Sequence, residues 1–431
     1  MQRRRCSTPT RVCSAKCSDK TAPVCNARCC MFIYVFEYSS GGVEMALDSN
    51  QGKATLGKAT RATRMIFLMS GFAMASWAPM VPYAKARLQL DDAGLGLALL
   101  AFGGGSMLSM PVIGWLAHRF GNNRVIGFAG ALMCLALPAL ALVSTTALLA
   151  VGLLYFGAML GAVDVAMNAH AVEVERLEGR AVMSGFHGLF SLGGLAGAAG
   201  MSAMLASGLP LLTCALLVSA VVALITISQQ TSLLRGQRSV SQVVGPSFAF
   251  RLPRGLLLLV GALCFVSFLA EGSMLDWSAL LLRDFRGTSA AAAGTGYACF
   301  SVAMAVGRLT GDRMVARFGP VATVRAGATL AALGFLMAAL LPWQATALLG
   351  FVLVGLGAAN VVPVMFSAAG RLPDAMPAVS IAAVTTLGYA GLLLGPALIG
   401  FVAHASSLPV ALAGVALLLL FVAAFAGVVR R

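Results

Sequence analysis

Charge is what this 431-residue sequence has least of. Only 10% of its residues are Asp, Glu, Lys or Arg, against about 25% in soluble domains, which excludes an ordinary soluble fold. Acids are the scarcer sign, 15 against 30 Lys and Arg. The parts of an active site are also missing: no nucleophile–base set and no metal-ligand cluster stands in or beside the apolar runs. An enzyme, a resident metal and a cofactor are therefore not expected. The apolar run at 31–36 is too short for a signal-peptide core and ends at Glu37, so secretion is not indicated.

What remains is apolar: 59% of residues are hydrophobic, mean hydropathy is +0.89, and there are 48 glycines. Stretches of about 18 or more apolar residues recur, each long enough for a membrane-spanning helix. Glycine suits such helices because small residues let backbones approach closely. Reading apolar runs against breakers predicts twelve spans: 65–86, 93–117, 124–144, 147–170, 183–206, 209–229, 255–282, 290–313, 321–341, 344–368, 378–402 and 408–428. The polar segment 230–254 divides them into an N-terminal bundle over 65–229 and a C-terminal bundle over 255–431. The expected fold is an all-α membrane protein of two six-helix bundles joined by a cytoplasmic linker.

The net charge of +15 follows topology. With both termini inside, Arg119, Arg124, Arg176, Arg180, the linker arginines, Arg313, Arg317, Arg325, Arg371, Arg430 and Arg431 fall on the cytoplasmic side, and Lys85, Arg87, Arg283 and Arg286 outside. The partner this implies is a lipid bilayer and not a nucleic acid. Segment 1–64 carries Cys6, Cys13, Cys17, Cys25, Cys29 and Cys30 among basic residues. It reads as a disordered basic tail, a metal site on the Cys-x3-Cys pairs, or an over-extended start with initiation at Met45 or Met65.

The halves repeat. Arg119-Phe-Gly121 recurs as Arg317-Phe-Gly319, and Gly193-x3-Gly197 as Gly391-x3-Gly395, both offset by 198 residues. Parallel six-span repeats with a midplane site between them are a transporter plan. The turn Gly114-Trp-Leu-Ala-His118-Arg119-Phe-Gly121 resembles the cytoplasmic signature of the major facilitator superfamily, with His118 and Ala316 standing where that pattern has Asp. Gly161-Ala-Val-Asp164-Val-Ala-Met-Asn168 is similar to the fourth-span motif of fucose-permease-like sugar/proton symporters. Ala270-Glu271-Gly-Ser-Met-Leu-Asp276-Trp277 and Phe186-His187 resemble bacterial inner-membrane members near that branch. The resemblance implies a multi-pass monomer in the bacterial inner membrane that imports a small polar solute such as a sugar with protons. The chain departs from the fucose permease at Ala78, where that family has an acid. Superfamily drug antiporters carry an Arg in the fourth span and Gly-Pro in the fifth, and this chain has neither. Two rival readings stand beside symport: a proton-driven exporter of drugs or metabolites, and a receptor or scaffold that no longer transports.

Candidate residues follow from polar groups inside apolar spans. An ionised carboxylate there costs roughly 2.5–3.5 kcal/mol even on lenient scales, so Asp164 is the first candidate for proton coupling, with a paired structural acid as the alternative. Glu271 is a second candidate, in the outer half of the seventh span. Asp276 reads as interfacial, paired with Lys85 or Arg87. Asn168, Asn360, His187, Trp77 and Trp277 are candidate solute contacts, against interhelical packing as the plainer use of each. Asn360 falls near the place of Asp164 in the repeat. His170 ends the fourth span as an interfacial histidine. Arg119, Arg308, Asp312 and Arg317 are candidates for gating, with Arg308 and Asp312 spaced for an i,i+4 pair or Arg308 snorkelling outward.

Overall fold

The computed structural model describes residues 50–90, 92–234, 255–288, 295–372 and 377–430. The readings made for the cysteines before Cys134 and for 235–254 lie outside the described residues. From Leu56 onward the chain forms one compact unit; residues 50–55, the described part of a separate unit, are helical.

Twelve spans are present, and no strand occurs among the described residues. Their order is Asn50–Ala75 continued by Val81–Leu88, then Asp92–Phe120, Asn122–Met133 with Ala136–Leu142, Thr146–Glu178, Met183–Ala206 and Leu211–Gln230. The second half runs Leu256–Arg286, Thr295–Phe318, Pro320–Leu340, Gln344–Ala358 with Val361–Gly370, Pro377–Ala405 and Leu408–Phe425. Eleven are long and apolar enough to cross a membrane by composition alone. The eighth, Thr295–Phe318, is set apart by Arg308, Asp312, Arg313 and Arg317. Pro79 and Pro82 break the first span through a short 3-10 turn, because proline removes a backbone donor and crowds the preceding turn.

Spans 1, 4, 7 and 8 have ends other than those expected, and the last three shifts move candidate residues. The first span begins at Asn50, so residues 50–64, expected in a disordered or mis-annotated extension, are helical. The fourth span does not stop at His170: no breaker comes before Gly179, whose φ of +65° ends the helix. His170 is consequently not interfacial but 1% exposed. Its Nε2 accepts from the backbone N–H of Leu234 at 2.9 Å, which leaves Nδ1 to donate to Thr63 Oγ1 at 3.1 Å. The seventh span continues to Arg286, so Glu271 is sixteenth of 31 residues, at the midpoint and not in the outer half. The eighth span starts at Thr295 and reaches Phe318, which places Arg308 deeper than a residue near a helix end.

The repeat is visible in packing. A Cβ on Gly157 would run into the Phe102 carbonyl, and one on Gly355 into the Phe300 carbonyl, both pairs again 198 apart. Gly193 lies on the backbone of Leu68 as Gly391 lies on that of Phe265. The guanidinium of Arg87 donates to the carbonyls of Leu140 and Ala141, and that of Arg286 to those of Ala338 and Ala339. Arg87 is thus occupied by helix-end carbonyls and is not the partner of exposed Asp276. The Arg-Phe-Gly turns share one cause: Gly121 and Gly319 hold φ of +91° and +80°, a region that favours glycine.

Overpacking a close approach costs about 1–3 kcal/mol. Gly157→Ala and Gly355→Ala are expected to lower the melting temperature of the purified protein by several degrees. Gly414→Ala, at a position with nothing within 4 Å, serves as the unchanged control.

Candidate functional site

The two halves meet through spans 2 and 11 and through spans 5 and 8. Gly114 packs on Ala378 and Ala382, and Gly188 on Leu309, all toward the arginine-rich ends of their helices. Between these contacts lie most of the polar residues singled out by sequence.

Asp164 is nineteenth of 33 residues in the fourth span and 9% exposed. Asn168, one turn on, donates its amide to the Asp164 side chain at 3.2 Å and to the Asp164 carbonyl at 2.9 Å. That use of the amide nitrogen leaves Asn168 Oδ1 as acceptor, and it faces His187 Nε2 at 3.2 Å. His187 therefore carries its proton on Nε2 when neutral. The imidazole lies between Phe67 of the first span and Phe366 of the tenth, ring centroids 5.3 and 5.8 Å away. Met110 and Val165 pack with Ala382 and Tyr389 of span 11 beside Asp164, and Tyr389 lies within reach of its charge. Among the described residues, no cationic side chain comes within ion-pair distance of Asp164.

Glu271 is in the opposite position. Arg308 NH2 meets its two carboxylate oxygens at 3.3 and 3.1 Å, and Arg308 NH1 donates to Ser191 Oγ of span 5 at 3.1 Å. Arg308 therefore neither pairs with Asp312 nor snorkels outward; burial at mid-helix makes the Glu271 carboxylate its stronger partner. Ser191 in turn donates to the His187 carbonyl at 3.2 Å. One hydrogen-bonded series runs from Asp164 through Asn168, His187, Ser191 and Arg308 to Glu271, crossing from the N-terminal to the C-terminal half. It passes through the His187 backbone, so it links positions mechanically and is not a proton wire. Ser191 was not foreseen; its only signal is a small polar residue one turn beyond His187.

Other candidates fall elsewhere. Asn360 is 5% exposed and donates to the Gly307 carbonyl at 3.2 Å, with Oδ1 pressed on Gly311. Its amide serves the contact between spans 8 and 10. By the 198 offset the counterpart of Asp164 is Val362 and that of Asn168 is Phe366, so the halves differ more sharply than the sequence reading supposed. Trp77 is 7% exposed and Trp277 partly buried, and both indole N–H groups are buried with no partner among the described residues. Arg119 lies over the rings of Trp115 and Phe120, and Arg317 over Phe318, both exposed.

The closure at the arginine-rich end uses the gating candidate Asp312 together with Glu175 and Arg371, which were not site candidates. Glu175, 6% exposed, accepts from the backbone N–H groups of Val182 and Met183 at 3.0 Å each, and from Arg371 at 2.7 Å. Asp312 accepts from Gly185 N at 2.9 Å. Two carboxylates, one from each half, thus satisfy the free donors at the start of span 5, where the helix dipole favours negative charge. A cavity of about 510 Å³ opens beside them, lined by Arg176, Arg180, Ser367 and Arg371 among others. Removing a charged acceptor from a backbone N–H costs about 1.5–3 kcal/mol. Glu175→Ala with Asp312→Ala is expected to raise amide hydrogen exchange at 182–185 at least tenfold, while 211–230 exchanges as before.

Two six-span repeats, packed at one end and joined across the middle by buried polar residues, are the plan of a membrane transporter. The chain belongs to the Major Facilitator Superfamily, whose family model matches residues 65–375. It is 51% identical over 371 residues to an uncharacterised MFS-type transporter of Yersinia pestis, covering 86% of this chain and 95% of that one. It is 34% identical over 368 residues to an uncharacterised transporter of Sinorhizobium fredii, covering 85% and 96%. In fold it is similar to the crystal structure of the E. coli fucose:proton symporter, with a TM-score of 0.74 at 18% identity, over 86% of this chain and 98% of that one.

Proposed function

We propose that this transporter carries a small polar solute together with a proton, and that Asp164 is the proton site. The observation that carries this reading is the unequal placement of a mid-span cation, Arg308. Arg308 pairs with Glu271, so protonating Glu271 leaves an uncompensated guanidinium inside the membrane. Among the described residues Asp164 has only an amide partner, so it takes up a proton with no charge orphaned. Protonation removes a buried charge, which lets the halves move past one another. Deprotonation on the less acidic side completes the cycle.

Asn168 and His187 hold the carboxyl in place from two helices, and the fold likeness to a fucose:proton symporter supports the same class of transport. Gating falls to Glu175, Arg371 and Asp312, with Arg119 and Arg317 as surface cations of the same end. Its arginine placement supports an orientation with both termini in the cytoplasm.

The test is uptake by proteoliposomes of radiolabelled monosaccharides and polyols under an imposed pH gradient. Uptake against the solute gradient is expected with the outside acid, and it collapses when a protonophore dissipates the gradient. Uptake indifferent to the gradient for every transported solute would remove the proton from the reading.

A further inference from the structure

Most buried polar groups of the central region are closed to the space between the halves, with Asp164, Asn168, His187 and Asn360 each at most 9% exposed. The Arg308 and Glu271 side chains retain 12% and 17%. Their hydrogen-bonding capacity is also unspent. A guanidinium has five N–H donors, and the described partners of Arg308 are Ser191 and Glu271 alone. Arg308 Nε is buried with no acceptor among the described residues, so the donors open to the space between the halves are those of its terminal nitrogens. Glu271 accepts from a single nitrogen, although a carboxylate has about four lone-pair sites. Tyr297, 37% exposed, lies near enough to sense both charges.

We propose that the Arg308–Glu271 pair is the docking point for the solute, and that the solute is an uncharged polyhydroxylated molecule. The pair offers donors and acceptors side by side at zero net charge. Adjacent hydroxyls accept from the guanidinium and donate to the carboxylate while the pair stays intact. An anion meets the Glu271 carboxylate, and a cation meets Arg308. A zwitterion gains only by pulling the pair apart, because its carboxylate competes with Glu271 for the same nitrogens. The link from Arg308 to Ser191 gives the occupied pair a route to the other half: a hydroxyl that draws on the guanidinium weakens the tie to span 5. This assignment rests on the transport reading above but not on which acid takes the proton.

The experiment measures melting of the full chain in lipid nanodiscs with myo-inositol, D-xylose and D-glucose as neutral probes. D-glucuronate, D-glucosamine and glycine betaine are the anionic, cationic and zwitterionic probes. Expected is stabilisation by at least one neutral probe, with its apparent Kd weakened at least tenfold in Arg308→Lys and in Glu271→Asp. These conservative variants keep the charges and are expected to melt like the parent without probe. Asp164→Asn is expected to retain the binding. Stabilisation confined to the charged or zwitterionic probes, neutral-probe binding unaltered in both conservative variants, or no stabilisation by any probe would each overturn the proposal. Loss of gradient-driven uptake with binding intact in Asp164→Asn bears only on the proton reading, so the two fail separately.

Discussion

Glu271→Gln alone is expected to damage the protein severely, and a second substitution at Arg308 is expected to rescue its stability but not its transport. Removing one partner of a buried ion pair costs about 3–5 kcal/mol, since the other charge is left uncompensated. Partial exposure of both side chains puts this pair toward the lower figure. Replacing both with apolar groups of similar size is often neutral or stabilising. Arg308→Met with Glu271→Leu should then melt at or above the parent temperature, and Glu271→Gln alone well below it. Transport should be absent from both. Melting curves and proteoliposome uptake on the three proteins check this directly. Equal melting of the single and double variants would mean that the pair is not balanced as the geometry indicates.

Asp164→Asn carries the other large effect, and its signature is a separation of two activities. The amide is nearly isosteric and keeps an acceptor for Asn168, so packing around the fourth span is preserved. It cannot gain or lose a proton. The variant should therefore exchange labelled for unlabelled solute across the membrane at a rate within a fewfold of the parent, a process that needs no net proton movement. Accumulation driven by a pH gradient should fall to the level of protein-free liposomes. The pH sign follows from the chemistry. In the parent, the loaded carrier needs Asp164 protonated, so accumulation rises as the outer pH falls; in the variant that dependence disappears.

Much of this architecture was legible in the sequence because bilayer physics leaves few choices. An apolar run of helical length with arginines at alternate ends has essentially one reading, and the 198-residue offset that related two Arg-Phe-Gly turns also relates Gly157 to Gly355 in the structure. Asp164 was legible for the same reason, since a carboxylate is conspicuous among apolar residues. What was not legible depended on helix rotation and partner choice. Arg308 could be placed by spacing next to Asp312, yet it reaches across to Glu271 on another span, and no one-dimensional pattern encodes that. Asn360 looked like a counterpart of Asp164 by rough alignment but serves the contact of span 10 with span 8. Glu175 falls between the fourth and fifth spans expected from sequence because the fourth was ended at His170; the run to Gly179 contains no breaker, and Val172 and Val174 within it are buried. Asp312 was flagged for gating, but its partner, the start of span 5, is backbone and leaves no mark in side-chain patterning.

The most direct test of Asp164 as the proton site is solute-induced proton movement in proteoliposomes loaded with a pH-sensitive dye, comparing the parent with Asp164→Asn at matched exchange activity. Addition of a transported solute outside should acidify the lumen of parent vesicles and leave the variant's lumen unchanged. Equal acidification in the two would contradict the assignment and move the proton to another group.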